Sequence, residues 1–138
     1  MTKSVSAKMG IRAGVRTLLV NAPGDAVDAI ELPSLAMETS REGEFEYIHL
    51  FVTKQVDMHE HFSALMNSLA KTGALWLSWP KGGKMSTDLS LPAVIKIGYD
   101  YGLVESKTLS INETWSAIKF TWPREGKVYQ NSFGKLRS

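Results

Sequence analysis

The chain has 138 residues, 43% of them hydrophobic, which is enough for one domain with a two- or three-layer core. It contains no cysteine, so disulfides, thiolate nucleophiles and cysteine metal sites are excluded. The net charge of +2 is uneven: residues 1–16 and 119–138 each carry +4, leaving −6 for the middle of the chain. There is no apolar run of the ~18 residues that a membrane span needs and no secretory h-region, so we expect a cytoplasmic protein without a membrane partner.

The first third of the chain predicts a strand, a helix and a second strand. Residues 15–20 form a short β-rich apolar run that stops at the turn formers Asn-Ala-Pro-Gly-Asp. Residues 25–31 have helical apolar spacing, with Asp25 as a candidate N-cap. A brief second strand at 35–39 follows Pro33 and precedes a charged turn.

The middle of the chain predicts a strand, a long helix and another strand. Residues 47–53 are continuously β-branched and aromatic, which is typical of a parallel strand covered on both faces. Apolar residues recur at three and four positions over 55–71, which predicts the longest helix, and Gly73 lies where its C′ residue is expected. Residues 74–79 are the next predicted strand.

The last part predicts a helix over 91–101 and two strands, 103–111 and 116–122, joined by a turn short enough for an antiparallel hairpin. The whole order favours an α/β fold: a three-layer, mostly parallel, Rossmann-like sheet of about six strands with an antiparallel C-terminal hairpin. We expect one domain over 10–123, with 1–9 and 124–138 as flexible basic tails.

In such a sheet, ligands bind at the carboxyl ends of the strands, beside the switch point. Three loops are predicted at that edge: 21–25, 53–56 and 80–88. The candidate ligand-binding residues near it are Asn21, Gly24, Asp25, Trp79, Lys81, Lys84 and Asp88.

The first of these loops has one glycine where a dinucleotide fingerprint has three, and Pro23 removes a backbone N–H. A dinucleotide site is therefore disfavoured. An adenosyl cofactor stays open, with Asp25 or Glu31 as ribose contacts, and so does a simple tight turn.

The third loop places Gly82 and Gly83 before a helix, between Lys81 and Lys84, where backbone N–H groups and lysines could bind an anion. The phosphate-loop spacing is absent. A mobile surface loop is the alternative interpretation.

At the hairpin turn, Glu113 and Trp115 are candidates for an interaction surface. Glu113 could act as a base only if burial raised its pKa, so we assign no catalytic residue. His59 and His61 point to different sides of a helix, and we assign no metal site.

Four strings, ALWLSWPKGG, TDLS, GLVESK and NETWSAIKF, resemble the small bacterial family called domain of unknown function 3052. That likeness runs from about residue 10 to 121 and implies no activity. Residues 47–80 and the elements after them also resemble the late half of a class I methyltransferase. The chain departs from that class at Asn-Ala-Pro-Gly, where Gly-x-Gly-x-Gly is expected, and in a shortened segment for the second and third strands.

These observations predict a non-catalytic binding or interaction module on a methyltransferase-like scaffold, without a cofactor. One alternative is a small S-adenosylmethionine-dependent methyltransferase using the loop at 21–25. Another is a weak nucleic-acid or anion binder acting through the basic tails and the loop from Lys81 to Lys84. A small anionic ligand and a second copy of the chain are candidate partners, whereas the spread of the basic residues argues against nucleic acid.

Overall fold

The computed structural model describes residues 3–136, and its strands form one six-stranded sheet. In chain order the strands are β1 (Arg16–Val20), β2 (Ala36–Glu38), β3 (Phe45–Phe51), β4 (Leu69–Pro80), β5 (Val104–Ser110) and β6 (Trp115–Thr121). The helices are α1 (Val5–Met9), α2 (Gly24–Ile30), α3 (Gln55–Met66) and α4 (Leu91–Asp100). An irregular turn with non-helical backbone angles spans Lys81–Ser86.

Across the sheet the order is β2-β1-β3-β4-β6-β5. The first four strands are parallel, and β6 runs antiparallel to both β4 and β5. The predicted α/β fold, with a mostly parallel sheet and an antiparallel C-terminal hairpin, is confirmed.

Strand alternation divides the core into two layers. Leu75, Leu77 and Trp79 pack with α3 and α4 on one face of the sheet. Trp76 packs with Met9 of α1 and with α2 on the other face. The two tryptophans of this strand therefore support opposite layers. Within residues 3–136, no helix is long and apolar enough to cross a bilayer.

Helix α3 ends at Met66, five residues before the predicted end, because the chain turns into the sheet there. The amide N–H of Phe45 donates to the carbonyl of Ser68 over 2.8 Å, and Phe45 pairs with Leu69 at the start of β4. Gly73 is thus a strand residue and not a helix cap. A Cβ at Gly73 would lie 2.8 Å from the carbonyl oxygen of Phe45, so the close approach of these two strands requires glycine.

The packed part of the chain extends beyond the predicted boundaries of 10 and 123. Helix α1 begins at Val5 and buries Met9, which is 3% exposed. In the C-terminal segment, Tyr129 packs partly against the core, and Asn131 Nδ2 donates to Glu105 Oε1 over 2.8 Å. Residues 1–2 and 137–138 of the predicted tails lie outside the described residues.

Helix α4 approaches β6 most closely at Gly98. A Cβ there would lie 2.2 Å from Cε1 and 2.4 Å from Cζ of the buried Phe120 ring. Helix propensity alone favours alanine over glycine by about 1 kcal/mol. We expect the clash to outweigh it, so that Gly98→Ala lowers the free energy of unfolding by about 1–3 kcal/mol in urea denaturation.

In a protein that already carries Phe120→Leu, adding Gly98→Ala should lower the free energy of unfolding by less than it does in the wild type, because the smaller leucine leaves room for the methyl group. Lys96→Ala, on the exposed side of the same helix, is the control and should cost only a few tenths of a kcal/mol. A Gly98→Ala variant more stable than the wild type would contradict this account of the helix–sheet contact.

Candidate functional site

The parallel strands β1 and β3 are neighbours, but their following helices lie on opposite faces of the sheet. This divergence is the switch point of the fold, where a crevice opens at the carboxyl ends of the strands. A cleft of about 340 Å³ lies there. We call it the carboxyl-edge cleft; its lining residues are Asn21, Pro23, Phe51, Val52, Thr53, Asp57, His61, Met85 and Trp115.

The chemistry of the carboxyl-edge cleft is aromatic and weakly acidic. Phe51 and Trp115 supply two rings, whose centroids are 5.3 Å apart in an edge-to-face arrangement. Asp57 is the carboxylate of the lining, and no lysine or arginine is among the lining residues. A cleft with this lining favours a neutral or cationic ligand with a ring system over an anion.

Trp115 is 4% exposed, which corrects the exposed position expected for it at a hairpin tip. The residue is the first of β6 and pairs with Pro80 at the end of β4, so its side chain turns inward over Phe51. It contributes a wall to the cleft and part of the core beneath it. Glu113, two positions earlier, is exposed.

The first loop places Asn21 in the left-handed region, at φ 58°. Glycine adopts this conformation most readily, and asparagine tolerates it better than most other residues. The turn after β1 thus keeps a backbone shape that favours glycine although the sequence lacks the glycine motif. Asn21 also lines the cleft.

Asp25 does not cap α2, because the helix begins at Gly24 after Pro23 and has no side-chain cap. Its Oδ2 instead accepts a hydrogen bond from Asn112 Nδ2 over 3.3 Å. Asn112 Oδ1 in turn accepts from the amides of Thr114 and Trp115, both over 2.9 Å. This chain of contacts links the first loop to the hairpin turn.

Both lysines of the third loop bind the hairpin. Lys81 Nζ donates to Ser110 Oγ, and Lys84 Nζ donates to the carbonyl of Glu113 over 2.8 Å. Met85 and Ser86 both have positive φ, near 57° and 54°. Such conformations cost energy and persist only where surrounding contacts hold them. Here the strained turn places the half-exposed Met85 at the rim of the carboxyl-edge cleft.

Asp88 holds the start of α3. Its Oδ1 accepts from the amide of Gln55 over 2.7 Å, and its carbonyl accepts from Gln55 Nε2 over 2.8 Å. Trp79 is buried in the layer formed with α3 and α4 and does not line the cleft. Of the candidates, Asn21 and Trp115 line the cleft. Gly24 and Asp25 belong to the first turn of α2, whereas Lys81, Lys84 and Glu113 lie in loops, and none of these five lines the cleft.

Sequence reasoning missed Phe51, Asp57, His61 and Met85 as lining residues. Asp57 and His61 are four residues apart on one face of α3, and that spacing was the signal that could have found them. Phe51 ends the predicted strand before the second loop, so its side chain belongs to the same edge.

A buried polar chain lies under the cleft on the α1–α2 face. Tyr47 Oη is 2.6 Å from His49 Nδ1, and His49 Nε2 is 2.7 Å from Ser78 Oγ. His49 also stacks on Phe51, with ring centroids 4.3 Å apart. Burial lowers the pKa of His49 to about 3 and raises that of Tyr47 above its usual range, so both groups are neutral at physiological pH.

Comparison with known proteins gives fold neighbours only. No family model matches the chain, so the resemblance to domain of unknown function 3052 is not confirmed. No curated protein matches it in sequence.

Three solved structures illustrate the fold neighbours. One is a ribosomal-protein methylase from Lactobacillus delbrueckii subsp. bulgaricus, with a TM-score of 0.59 and 8% identity, covering 87% of this chain and 76% of that one. A magnesium protoporphyrin IX methyltransferase from Synechocystis with bound SAH has a TM-score of 0.58 and 12% identity, covering 87% and 80%. A TehB-like SAM-dependent methyltransferase from Corynebacterium glutamicum has a TM-score of 0.54 and 8% identity, covering 87% and 86%.

At these identities the comparisons show the fold alone. The chain has the α/β fold of class I methyltransferases.

Proposed function

We propose that the carboxyl-edge cleft binds S-adenosylmethionine and that the protein is a small S-adenosylmethionine-dependent methyltransferase. The observation that carries the proposal is the position and lining of the cleft. It opens at the switch point of a methyltransferase-like sheet, with two aromatic rings, one carboxylate and no cationic residue in its lining. A solved fold neighbour carries the demethylated product of this cofactor, SAH.

The side chains of the cleft fit the cofactor group by group. The sulfonium is a cation, which Asp57 and the rings of Phe51 and Trp115 would stabilise. The ribose and purine need hydrogen-bond partners, which the amide of Asn21 and the hydroxyl of Thr53 can supply. A volume of about 340 Å³ lies at the low end of ordinary ligand pockets, so the whole cofactor would fill it.

When bound, this cofactor supplies a methyl group activated by the positive sulfur. The role proposed for the chain is to hold the cofactor and to exclude water with Met85 and Trp115 at the rim and wall. We propose no catalytic base among the lining residues, so the acceptor would need a nucleophile reactive without one.

The second candidate function is a non-catalytic interaction module without a cofactor. Pro23 favours it, since this residue has no N–H to offer a ligand at the first loop. The two candidates differ in one measurable property, which is affinity for the adenosyl cofactor.

Isothermal titration calorimetry with S-adenosylmethionine and with its demethylated product tests the proposal. We expect saturable binding of both. The variant Asp57→Asn should lower the affinity for S-adenosylmethionine by roughly tenfold and the affinity for the product by much less, because only S-adenosylmethionine carries a charge on sulfur.

The matched control is Asp28→Asn, which removes one exposed carboxylate outside the cleft and should change neither affinity. If neither compound binds at millimolar concentration, the methyltransferase proposal fails and the module without cofactor stands. If both bind but Asp57→Asn affects them equally, the assignment of Asp57 to the sulfonium is wrong.

A further inference from the structure

A second and larger cavity lies at the opposite edge of the sheet. It has a volume of about 560 Å³ and opens at the amino ends of β3 and β4, on the face covered by α1 and α2. We call it the amino-edge groove. Tyr47 lines this groove and Phe51 lines the carboxyl-edge cleft, four residues along β3, so the two sites are about 13 Å apart.

The charge of the amino-edge groove is opposite to that of the cleft. Its lining includes four cationic residues and one acid, namely Arg12, Lys71, Lys119, Arg124 and Glu46. Glu46 is engaged, because it accepts from Thr72 Oγ1 over 3.0 and 3.2 Å and lies 3.9 Å from Arg12. Within residues 3–136, no carboxylate lies within 4.0 Å of the amino group of Lys71 or Lys119 or of the guanidinium of Arg124.

This concentration of charge opposes the stability of the fold. Lys119 of β6 lies directly opposite Lys107 of β5, and like charges in such a cross-strand pair are destabilising. Lys107 Nζ donates to the carbonyl of Lys8, whereas Lys119 lines the groove. An arrangement that costs stability and leaves cations in a concave site is typical of ligand binding.

The two basic ends of the sequence supply three of these four cations. Arg12 comes from the basic segment 1–16, and Lys119 and Arg124 come from the basic segment 119–138. The fold brings residues of both basic segments together at one groove.

The walls of the groove are partly apolar. Ile11 and Val15 contribute aliphatic surface, whereas the side chain of Trp122, which also borders the groove, packs against the opposite α3–α4 layer. The Nε1–H of Trp122 donates to the carbonyl of Leu69 over 3.2 Å, which fixes the plane of the ring. Four cationic side chains beside aliphatic surface suit a phosphate that carries an organic group.

We propose that the amino-edge groove binds a small organic phosphate, a phosphate monoester in chemical class. Arginine and lysine bind the phosphate oxygens, Ile11 and Val15 contact the organic group, and the volume suits a ligand of nucleotide size. This site is separate from the carboxyl-edge cleft and does not depend on the function proposed for it.

Chemical-shift mapping on the ¹⁵N-labelled full chain tests the proposal, with adenosine 5′-monophosphate, adenosine and inorganic phosphate as probes. We expect the nucleotide to bind at least tenfold more tightly than adenosine, because adenosine lacks the charge-assisted hydrogen bonds. Its shifts should centre on the amides of Gly10 and Gly73. An adenosyl group in the other site would instead shift Asn21 and Thr53, so the two sites are distinguishable in one spectrum.

Charge-removing variants complete the test. Lys119→Gln and Arg124→Gln should each lower the affinity for the nucleotide by roughly tenfold, while Lys135→Gln, an exposed lysine outside the groove, should leave it unchanged. Without ligand, the Lys119→Gln variant should melt at the same temperature as the wild type or about 1–3 °C higher, since it removes the like-charge repulsion with Lys107. Loss of binding would then not reflect loss of folding.

A single-stranded hexanucleotide that binds more tightly than the mononucleotide, with shifts at the same amides, would support the site and identify nucleic-acid phosphates as its source. Equal affinity for the nucleotide and adenosine would overturn the proposal. So would shifts confined to the carboxyl-edge cleft, or an affinity that Lys119→Gln changes by less than twofold.

Discussion

Acidification is expected to lower the free energy of unfolding by up to about 5 kcal/mol between pH 6.5 and pH 3 through His49 alone. The side chain is fully buried, and burial lowers its folded-state pKa to about 3, below the value of 6.5 in the unfolded chain. As the pH falls, the unfolded state therefore binds the proton first. The contribution is fully present above pH 6.5 and declines by at most about 1.4 kcal/mol per pH unit towards pH 3.

Urea denaturation at several pH values between 4 and 8 measures this slope. His59→Gln, which removes an exposed histidine, is the matched control. In the triple variant Tyr47→Phe/His49→Phe/Ser78→Ala, the whole buried polar chain becomes apolar, which avoids leaving a donor or acceptor unpaired. Its unfolding free energy should fall less steeply with acid than that of the wild type, and equal slopes would show that His49 does not govern the acid response.

The polar chain also explains why these residues stand in a core layer. The bond between His49 and Ser78 crosses from β3 to β4, which are adjacent parallel strands. A register slip of one residue would separate the two side chains and leave both unpaired in the interior. The buried polar chain thus favours one register of β3 and β4.

The sheet could be predicted because its central strands carry local signals. Residues 47–53 and 74–79 are continuous apolar runs, and buried parallel strands require that pattern. The end of α3 could not be placed, because Met66 and Leu69 continue the helical spacing that begins at residue 55. The pairing of Phe45 with Leu69 overrides that periodicity, and a contact between distant parts of the chain leaves no trace in a local window.

The position of the candidate site could be predicted from the sequence, but most of its lining residues could not. The loops at 21–25 and 53–56 follow the ends of parallel strands, so the topology places both loops at the carboxyl edge of the sheet. Asn21 and Thr53 of these loops line the cleft. Asp25 pairs with Asn112 across 87 positions, and Asp88 binds the first turn of α3 from 33 positions away. These side chains had chemistry suited to a ligand, but the fold uses them to hold loops together, and only their three-dimensional neighbours reveal that use.

The amino-edge groove shows the same limit for charge. The sequence shows two basic ends, and each on its own is typical of a solvated tail. The antiparallel placement of β6 beside β4 pairs Lys119 with Trp76, and both residues line the groove together with Lys71 near the start of β4. The sequence shows the basic residues, but their proximity in one groove depends on the order of the strands in the sheet.

Trp115→Ala is expected to destabilise the protein by about 3–5 kcal/mol, the usual cost of emptying a buried aromatic site. The indole is 4% exposed, packs edge-to-face on Phe51 and lines the carboxyl-edge cleft. Trp115→Phe keeps a ring against Phe51 and should cost distinctly less. Thermal unfolding followed by circular dichroism at neutral pH measures both.

This variant separates the two views of the hairpin turn. A tryptophan on an exposed interaction surface could be truncated with little effect on stability, so an unchanged melting temperature for Trp115→Ala would restore that view. If the residue is a wall of the cleft, Trp115→Phe should stay folded and yet bind the adenosyl cofactor less tightly, because the smaller ring leaves part of the ligand in contact with water. A folded Trp115→Phe protein with unchanged affinity would confine the residue to the core and remove it from the proposed site.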